Sequence, residues 1–233
     1  MHALILAGGF GTRLRPLTEK TPKPLLPILG DEPIISIILR QLAEGGFDRI
    51  TIGVNYLAKQ IENYCSDGAK WGVRIDYVHE TKPLHTIGPV TLIKEPPEHI
   101  LIVNGDIVAD FDYAGFLKAH IEHRTRISVA LTKQKIPIDF LVVAFDADKH
   151  LTAFEEKPTH QVSVTNGVTC LSRALIEELP KSELYGLDDL LRDALERKEV
   201  VYVHESEGFW MDIGSQADYE YMRSHPEIIK TLI

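Results

Sequence analysis

The amino-acid sequence predicts an α/β protein: a doubly wound, mostly parallel Rossmann-like sheet with a small antiparallel β wall beside it. Three observations carry this expectation. Apolar runs of strand length alternate with segments of helical spacing through roughly the first 130 residues, the pattern of βαβ units. The first apolar run opens directly into a glycine-rich loop, where such sheets carry ligand-binding loops. Beyond residue 132 the alternation gives way to short runs suited to antiparallel strands.

In chain order, residues 3–7 (Ala-Leu-Ile-Leu-Ala) have the length and bounding glycines of a buried strand. Residues 34–44 are apolar at helical spacing, 49–54 read as a strand, 57–64 as a short helix and 73–79 as a strand. A fully apolar strand over 100–103, an amphipathic helix over 113–123 and a strand over 127–131 follow. The glycine loop follows the first strand and Asp106 follows the strand at 100–103, so both fall on the carboxyl rim where ligands bind. Segments 140–145, 151–154 and 168–171 are expected to build the antiparallel wall. A helix over 187–195 reads as core or as a subunit contact, which makes a homodimer the expected assembly; a strand at 200–204 and a helix at 215–222 close the chain.

With 233 residues, 44% of them hydrophobic, the chain is expected to form one domain with an ordinary core. No apolar run approaches the roughly 20 residues that span a bilayer, and the first strand begins without a basic leader. Cys65 and Cys170 are too few and too far apart for a disulfide framework or a structural zinc. A cytoplasmic protein without a membrane partner is expected. The net charge of −9 excludes a general nucleic-acid binder, which needs a basic face.

The loop Gly8-Gly9-Phe10-Gly11-Thr12-Arg13 offers backbone N–H groups for close approach of an anion and ends on one charged fork. Lys23 stands between Pro22 and Pro24, which stiffen the chain around a single positive charge. Leu14 replaces the third glycine of a dinucleotide fingerprint, and no Gly-Lys-Ser/Thr closes the loop as in a P-loop. The remaining reading is a polyphosphate site. Without a gap from Leu6 through Pro24, the sequence resembles the sugar-1-phosphate nucleotidylyltransferases: Leu-Ala-Gly-Gly-x-Gly-Thr-Arg-Leu-x-Pro-Leu-Thr, then Pro-Lys-Pro.

That resemblance covers residues 3–222 and implies a sheet of the nucleotide-diphospho-sugar transferase type. Residues 1–132 would form the nucleotide-binding half and 133–233 the sugar-phosphate half, without the C-terminal β-helix of longer members. It implies transfer of a nucleotidyl group from a nucleoside triphosphate to a sugar 1-phosphate. The nucleophile is already anionic, so catalysis needs positioning and charge neutralisation rather than a triad. By resemblance, Leu6, Ala7, Gly8, Gly9, Gly11 and Thr12 bind the nucleotide and Arg13 holds its β- and γ-phosphates. Lys23 stabilises charge around the α-phosphorus, and its loss is expected to cost on the order of 100-fold. Asp106, after Asn104 and Gly105, and Asp212, in Phe209-Trp210-Met211-Asp212-Ile213-Gly214, hold Mg2+, a hard cation that takes carboxylate and phosphate oxygens.

Glu80, His85 and Thr86 belong to the implied base-reading loop. A carboxylate there accepts from the two adjacent donors of guanine, and His85 stands where the family carries glycine. Glu156 and Lys157 match the family's Glu-Glu-Lys-Pro and, with Asn104, Gly105 and Asn166, are implied to face the sugar phosphate. The nearest likeness is to guanylyltransferases acting on mannose 1-phosphate or a manno-heptose 1-phosphate. The alternatives are a uridylyl- or thymidylyltransferase, or a catalytically silent nucleotide-sugar-binding subunit. His120 and His123 read as surface histidines, and Trp210 as an anchor for the segment carrying Asp212.

Overall fold

In the computed structural model, which describes residues 1–233, the first apolar run forms β1 (His2–Leu6) in the interior of a seven-stranded sheet. After it come β2 (Pro27–Leu29), β3 (Glu32–Pro33), α1 (Ile34–Glu44), β4 (Arg49–Val54), α2 (Ala58–Cys65) and β5 (Arg74–His79). The middle of the chain supplies β6 (His99–Asn104), β7 (Ile107–Ala109), α3 (Tyr113–Glu122) and β8 (Ile127–Pro137). Next are β9 (Leu141–Phe145), β10 (Leu151–Glu156), β11 (Thr159–Ser172) and α4 (Arg173–Glu178). Last come α5 (Leu187–Glu196), β12 (Val201–Ser206), β13 (Trp210–Asp212), α6 (Gln216–Ser224) and α7 (Pro226–Lys230).

The sheet order is β12-β8-β11-β6-β1-β4-β5. β1 runs parallel to both β4 and β6, β4 parallel to β5, and β12 parallel to β8. Alternation along β1 sends its side chains to two covered faces. Ala3 and Ile5 join a cluster with Ile38 and Leu42 of α1 and Phe116 of α3. Leu4 packs with Leu175 of α4 and Leu190 of α5 on the other side. Truncating such a fully buried leucine or isoleucine to alanine costs about 2–5 kcal/mol, so β1 is a rigid base for the loop that leaves it. A third cluster joins Leu14, Ile213, Tyr219 and Met222. It ties the residue after Arg13 to the residue after Asp212. Ser215 caps α6 in a reciprocal pairing with Asp218, which fixes where that last long helix starts.

One expectation needs correction. Residues 168–171 do not join a separate wall: they lie in the main sheet, antiparallel to both β6 and β8, with Val168 opposite Val103. Val168, Thr169, Cys170 and Leu171 are all buried, as a strand covered on both faces requires. One sheet therefore runs through both expected halves of the chain. The expected small antiparallel wall is present at 141–145 and 151–156. β8 and β11 continue past the sheet as a two-stranded ribbon, Thr132 to Pro137 against Thr159 to Val164, and the β9–β10 hairpin forms its outer part. No helix is long and apolar enough to cross a membrane.

Candidate active site

The carboxyl ends of β1 and β6 open onto a cleft of about 390 Å³. Its floor begins where β1 stops. Gly105 donates its N–H to the Leu6 carbonyl at 2.9 Å, and a Cβ on Gly105 would lie 2.6 Å from that same oxygen. Only glycine lets the two strand ends meet so closely. Gly11 sits at φ +59°, in the left-handed region that favours glycine. Its carbonyl accepts from the Thr18 hydroxyl at 2.7 Å, and Leu14 N–H also bonds to it. The loop is thereby folded back so that Gly8, Gly9, Thr12 and Arg13 line the cleft together with Leu6 and Ala7.

Lys23, 8% exposed, lies beneath this loop, with a Cβ on Gly11 coming within 3.4 Å of the lysine Cβ. Its Nζ donates to Asp106 Oδ2 at 2.6 Å and stands 3.5 Å from Asp212 Oδ1. The two carboxylates meet because β7 and β13 form a short antiparallel ladder. Asp212 pairs with Ile107, the neighbour of Asp106, and Ile213 N–H bonds to the Asp106 carbonyl at 3.0 Å. Arg13 closes the group: a Cβ on Gly214 would lie 3.2 Å from Arg13 Nη1 and 3.2 Å from Asp212 Oδ2. Arg13, Lys23, Asp106 and Asp212 thus converge at one edge of the sheet.

Burial, and after it the Asp106 charge, raises the Asp212 carboxyl above its ordinary value, against the pull of Lys23 and Arg13. Asp212 Oδ1 is shielded from water and accepts no hydrogen bond. Two adjacent carboxylates, one of them raised by burial and with an oxygen that accepts no hydrogen bond, form a donor set suited to a hard divalent cation.

At the other end of the cleft Glu80 follows β5. Its Oε2 accepts from Leu84 N–H at 3.0 Å, and a Cβ on Gly8 would lie 2.4 Å from Oε1, so Gly8 makes room for the carboxylate. Burial raises the Glu80 carboxyl above its ordinary value. His85 also lines the cleft and adopts φ 62°, so it occupies the backbone region that glycine favours. Thr86 Oγ1 accepts from Leu187 N–H at 2.9 Å, which straps the loop to the start of α5.

A second cavity of about 300 Å³ shares Leu6, Thr86 and Asn104 with the first and is otherwise lined in part by Thr165, Asn166, Gly167, Trp210 and Asp212. Asn104 lies against Gly167, where a Cβ would come within 2.9 Å of Asn104 Nδ2. Asn166 is present there, but both ends of its side chain are engaged: Oδ1 accepts from Val168 N–H and Nδ2 donates to Ser206. Its carbonyl accepts from Trp210 Nε1 at 2.7 Å, which anchors β13 and so Asp212.

Glu156 and Lys157 line neither cavity. They sit exposed on the outer ribbon, with roughly 25 Å of extended chain between Lys157 and Thr165. They stand outside both linings because β8 and β11 continue past the sheet edge as a ribbon, from Thr132 to Pro137 and from Thr159 to Val164. His120 is likewise not a surface residue. It is fully buried, 3.1 Å from His99 Nδ1 and 2.7 Å from Ser128 Oγ. His123 is exposed and stacks on Tyr202. Sequence reading missed Phe10, which lines the cleft against Tyr56, and the cavity threonines Thr165 and Thr169. Neither threonine had a local signal, since each flanks a register shift between β8 and β11.

A family model described as nucleotidyl transferase matches residues 2–227. The mannose-1-phosphate guanylyltransferase catalytic subunit beta of Drosophila pseudoobscura pseudoobscura is 34% identical over 225 residues, which cover 94% of this chain and 60% of the relative. The subunit of the same name from Dictyostelium discoideum is 34% identical over 229 residues, covering 94% and 62%. The chain therefore spans about 60% of the length of these relatives. Among solved structures, HddC of Yersinia pseudotuberculosis superposes with a TM-score of 0.74 at 23% identity, covering 96% of this chain and 98% of that one. A Bacillus anthracis protein in complex with a sucrose gives 0.78 at 22% identity, covering 97% and 95%. These two likenesses carry the fold.

Proposed function

We propose that this chain, which belongs to the nucleotidyl transferase family, transfers a nucleotidyl group from a nucleoside triphosphate to a sugar 1-phosphate, releasing pyrophosphate. The favoured pair is GTP with mannose 1-phosphate or a manno-configured heptose 1-phosphate. The observation that carries the reading is the convergence of Arg13, Lys23, Asp106 and Asp212 at one sheet edge, where the first three line the glycine-loop cleft and Asp212 lines the cavity adjoining it. An acidic chain that handles polyanions must gather its positive charge at one place, and here it does.

The backbone N–H groups from Gly9 to Thr12 bind the triphosphate, and Arg13 holds its β- and γ-phosphates. A phosphate oxygen of the sugar attacks the α-phosphorus in line. The new P–O bond forms as the bridging α–β P–O bond breaks, and the electron pair leaves on pyrophosphate. No proton has to move. Lys23 Nζ faces the charge that develops at the α-phosphorus, the kind of fixed electrostatic contact that dominates such transfers. Asp106 and Asp212 would hold Mg2+, which when bound neutralises phosphate charge.

Glu80 reads the base. Its two oxygens match the adjacent N1–H and amino donors of guanine, and uracil or thymine offers only one donor. The mannose-1-phosphate guanylyltransferase names of the Drosophila and Dictyostelium relatives support the same pairing. The cavity behind Asn104 and Trp210 gives the sugar its room. Both thiols are free and buried, which supports a reducing compartment, and a second copy of the chain is the expected partner in assembly. The test is pyrophosphate release over a matrix of nucleoside triphosphates and sugar 1-phosphates with Mg2+. The expected result is turnover with GTP and a manno-configured sugar phosphate. Tight nucleotide-sugar binding with no turnover for any pair would instead make the chain a silent binding subunit.

A further inference from the structure

The cavity behind Asn104 and Trp210 lacks most of the sugar contacts that the resemblance implied. Glu156 and Lys157 do not line it, and both ends of the Asn166 side chain are engaged. Thr169 stands in the wall of this cavity and is only 4% exposed. It pairs with Ile102 of β6 and Val129 of β8, and directly paired residues share a face. Ile102, Val129 and Leu171, two residues further along β11, all belong to the apolar cluster on that side. Thr169 therefore interrupts an apolar layer, where a branched apolar side chain would pack without a polar atom to satisfy. Its hydroxyl bonds to no group of the chain, yet the atom is not sealed from water as Asp212 Oδ1 is. The cavity is where it can find a partner. The backbone shows how the residue comes to face it. β11 advances from Thr165 to Thr169 while β8 advances only from Leu131 to Val129, a bulge of the kind that re-aims side chains beside active sites.

We propose that Thr169 is a specificity residue, its Oγ1 exchanging a hydrogen bond with one ring hydroxyl of a sugar that carries no charge beyond its phosphate. The inference rests on the preceding reading and supplies the recognition of the sugar that it left open. A threonine hydroxyl donates, accepts and rotates to suit its partner, which matches a sugar hydroxyl. The rest of the wall sets the class of sugar. Asp212 is its one charged residue, and that carboxylate is assigned to the metal. Arg13 and Lys23 line only the neighbouring cleft. A sugar acid would therefore bury its carboxylate among apolar side chains, hydroxyls and amides with no cation beside it, which is strongly unfavourable. A site built to bond a substrate hydroxyl also rejects the analogue that lacks it, because its own buried group is then left unpaired.

Thr169→Val and Thr169→Ser test it, assayed with manno-configured sugar 1-phosphates that lack one hydroxyl at a time. Valine keeps the branched shape and removes the hydroxyl. Its thermal unfolding should match or exceed the parent's, since no bond within the chain is lost. The KM for the sugar 1-phosphate should rise about 10-fold with the KM for GTP unchanged, and Thr169→Ser should stay near the parent. One deoxy substrate should cost the parent about as much as the valine substitution does and cost the valine variant nothing more. The other deoxy substrates should cost both enzymes equally. Binding of GDP-mannose by calorimetry gives the same comparison of variants where no pair turns over. A parent that neither turns over any pair nor binds a nucleotide-sugar overturns the preceding reading and this inference with it. Where the parent does either, an unchanged sugar KM or affinity in Thr169→Val overturns the inference alone, as do losses that add for every deoxy substrate. A valine variant that unfolds below the parent would make Thr169 a structural residue and overturn it too. Parent turnover of a uronic acid 1-phosphate at the rate of its neutral counterpart would overturn the class of sugar.

Discussion

Replacing Lys23 with alanine removes the cation that two carboxylates share. The lysine side chain is 9% exposed, against 30% for Asp106 and 40% for Asp212. Breaking a fully buried ion pair costs about 3–5 kcal/mol because an uncompensated charge stays behind. Here both aspartates are partly open to water, which screens them, so the expected loss of folding stability is about 2 kcal/mol. Turnover suffers more. A donor aimed at charge developing in the transition state contributes about 10²–10³ in rate, or about 3–4 kcal/mol of barrier. Urea unfolding with and without Mg2+ reads the first loss, and pyrophosphate release at saturating substrate reads the second. Added Mg2+ should restore the unfolding midpoint, because a divalent ion can replace the missing charge between the aspartates. It should leave the rate low, because nothing then faces the α-phosphorus from the lysine side. A variant within about threefold of the parent rate, less than a single decade of barrier, would refute the role given to Lys23.

Gly105→Ala places a Cβ 2.6 Å from the Leu6 carbonyl oxygen, a backbone atom that cannot move alone. It should cost about 1–3 kcal/mol of stability and slow turnover at least about tenfold by displacing Asp106; parent-like thermal unfolding would contradict this. Glu80→Gln turns one acceptor into a donor facing the donors of guanine. The KM for GTP should rise about 10- to 100-fold with kcat little changed, and an unchanged preference among nucleotides would remove Glu80 from base reading. Burial lowers the imidazoles of His2 and His120 from the ordinary 6.5 to about 4, helped by Arg49 and His99 respectively. Folding therefore favours their neutral forms. That stability is full above about pH 6.5 and is lost as pH falls towards 4. Urea midpoints should drop across this window, and His120→Gln should make the drop shallower; identical slopes would sink the assignment.

What the sequence made legible was local. The strand, the glycine loop, Arg13 and the proline-framed Lys23 occupy one short stretch, where each residue type has a direct backbone or charge reason. Asp106 could be placed on the rim because it follows an apolar strand end. What remained hidden was set by contacts between distant segments. The ladder that brings Asp212 opposite Ile107 is three residues long, too short to show alternation. β11 joins the main sheet through residues buried on both faces, and an apolar run of that kind does not say which strands flank it. Whether Glu156 and Lys157 fold back over the site depends on β11 continuing past the sheet edge, which no neighbouring residue signals. His120 was misread because its burial comes from packing against His99 and Ser128, outside its own helix.

Pyrophosphate release by Asp106→Asn, with GTP and the preferred sugar 1-phosphate in Mg2+, tests the joint role of the cations and carboxylates most directly. With the fold intact by circular dichroism, the rate should fall by on the order of 10² or more, near to complete loss. A folded variant that turns over at the parent rate would mean that Asp106 neither holds the metal nor orients Lys23, and that the chemistry lies elsewhere.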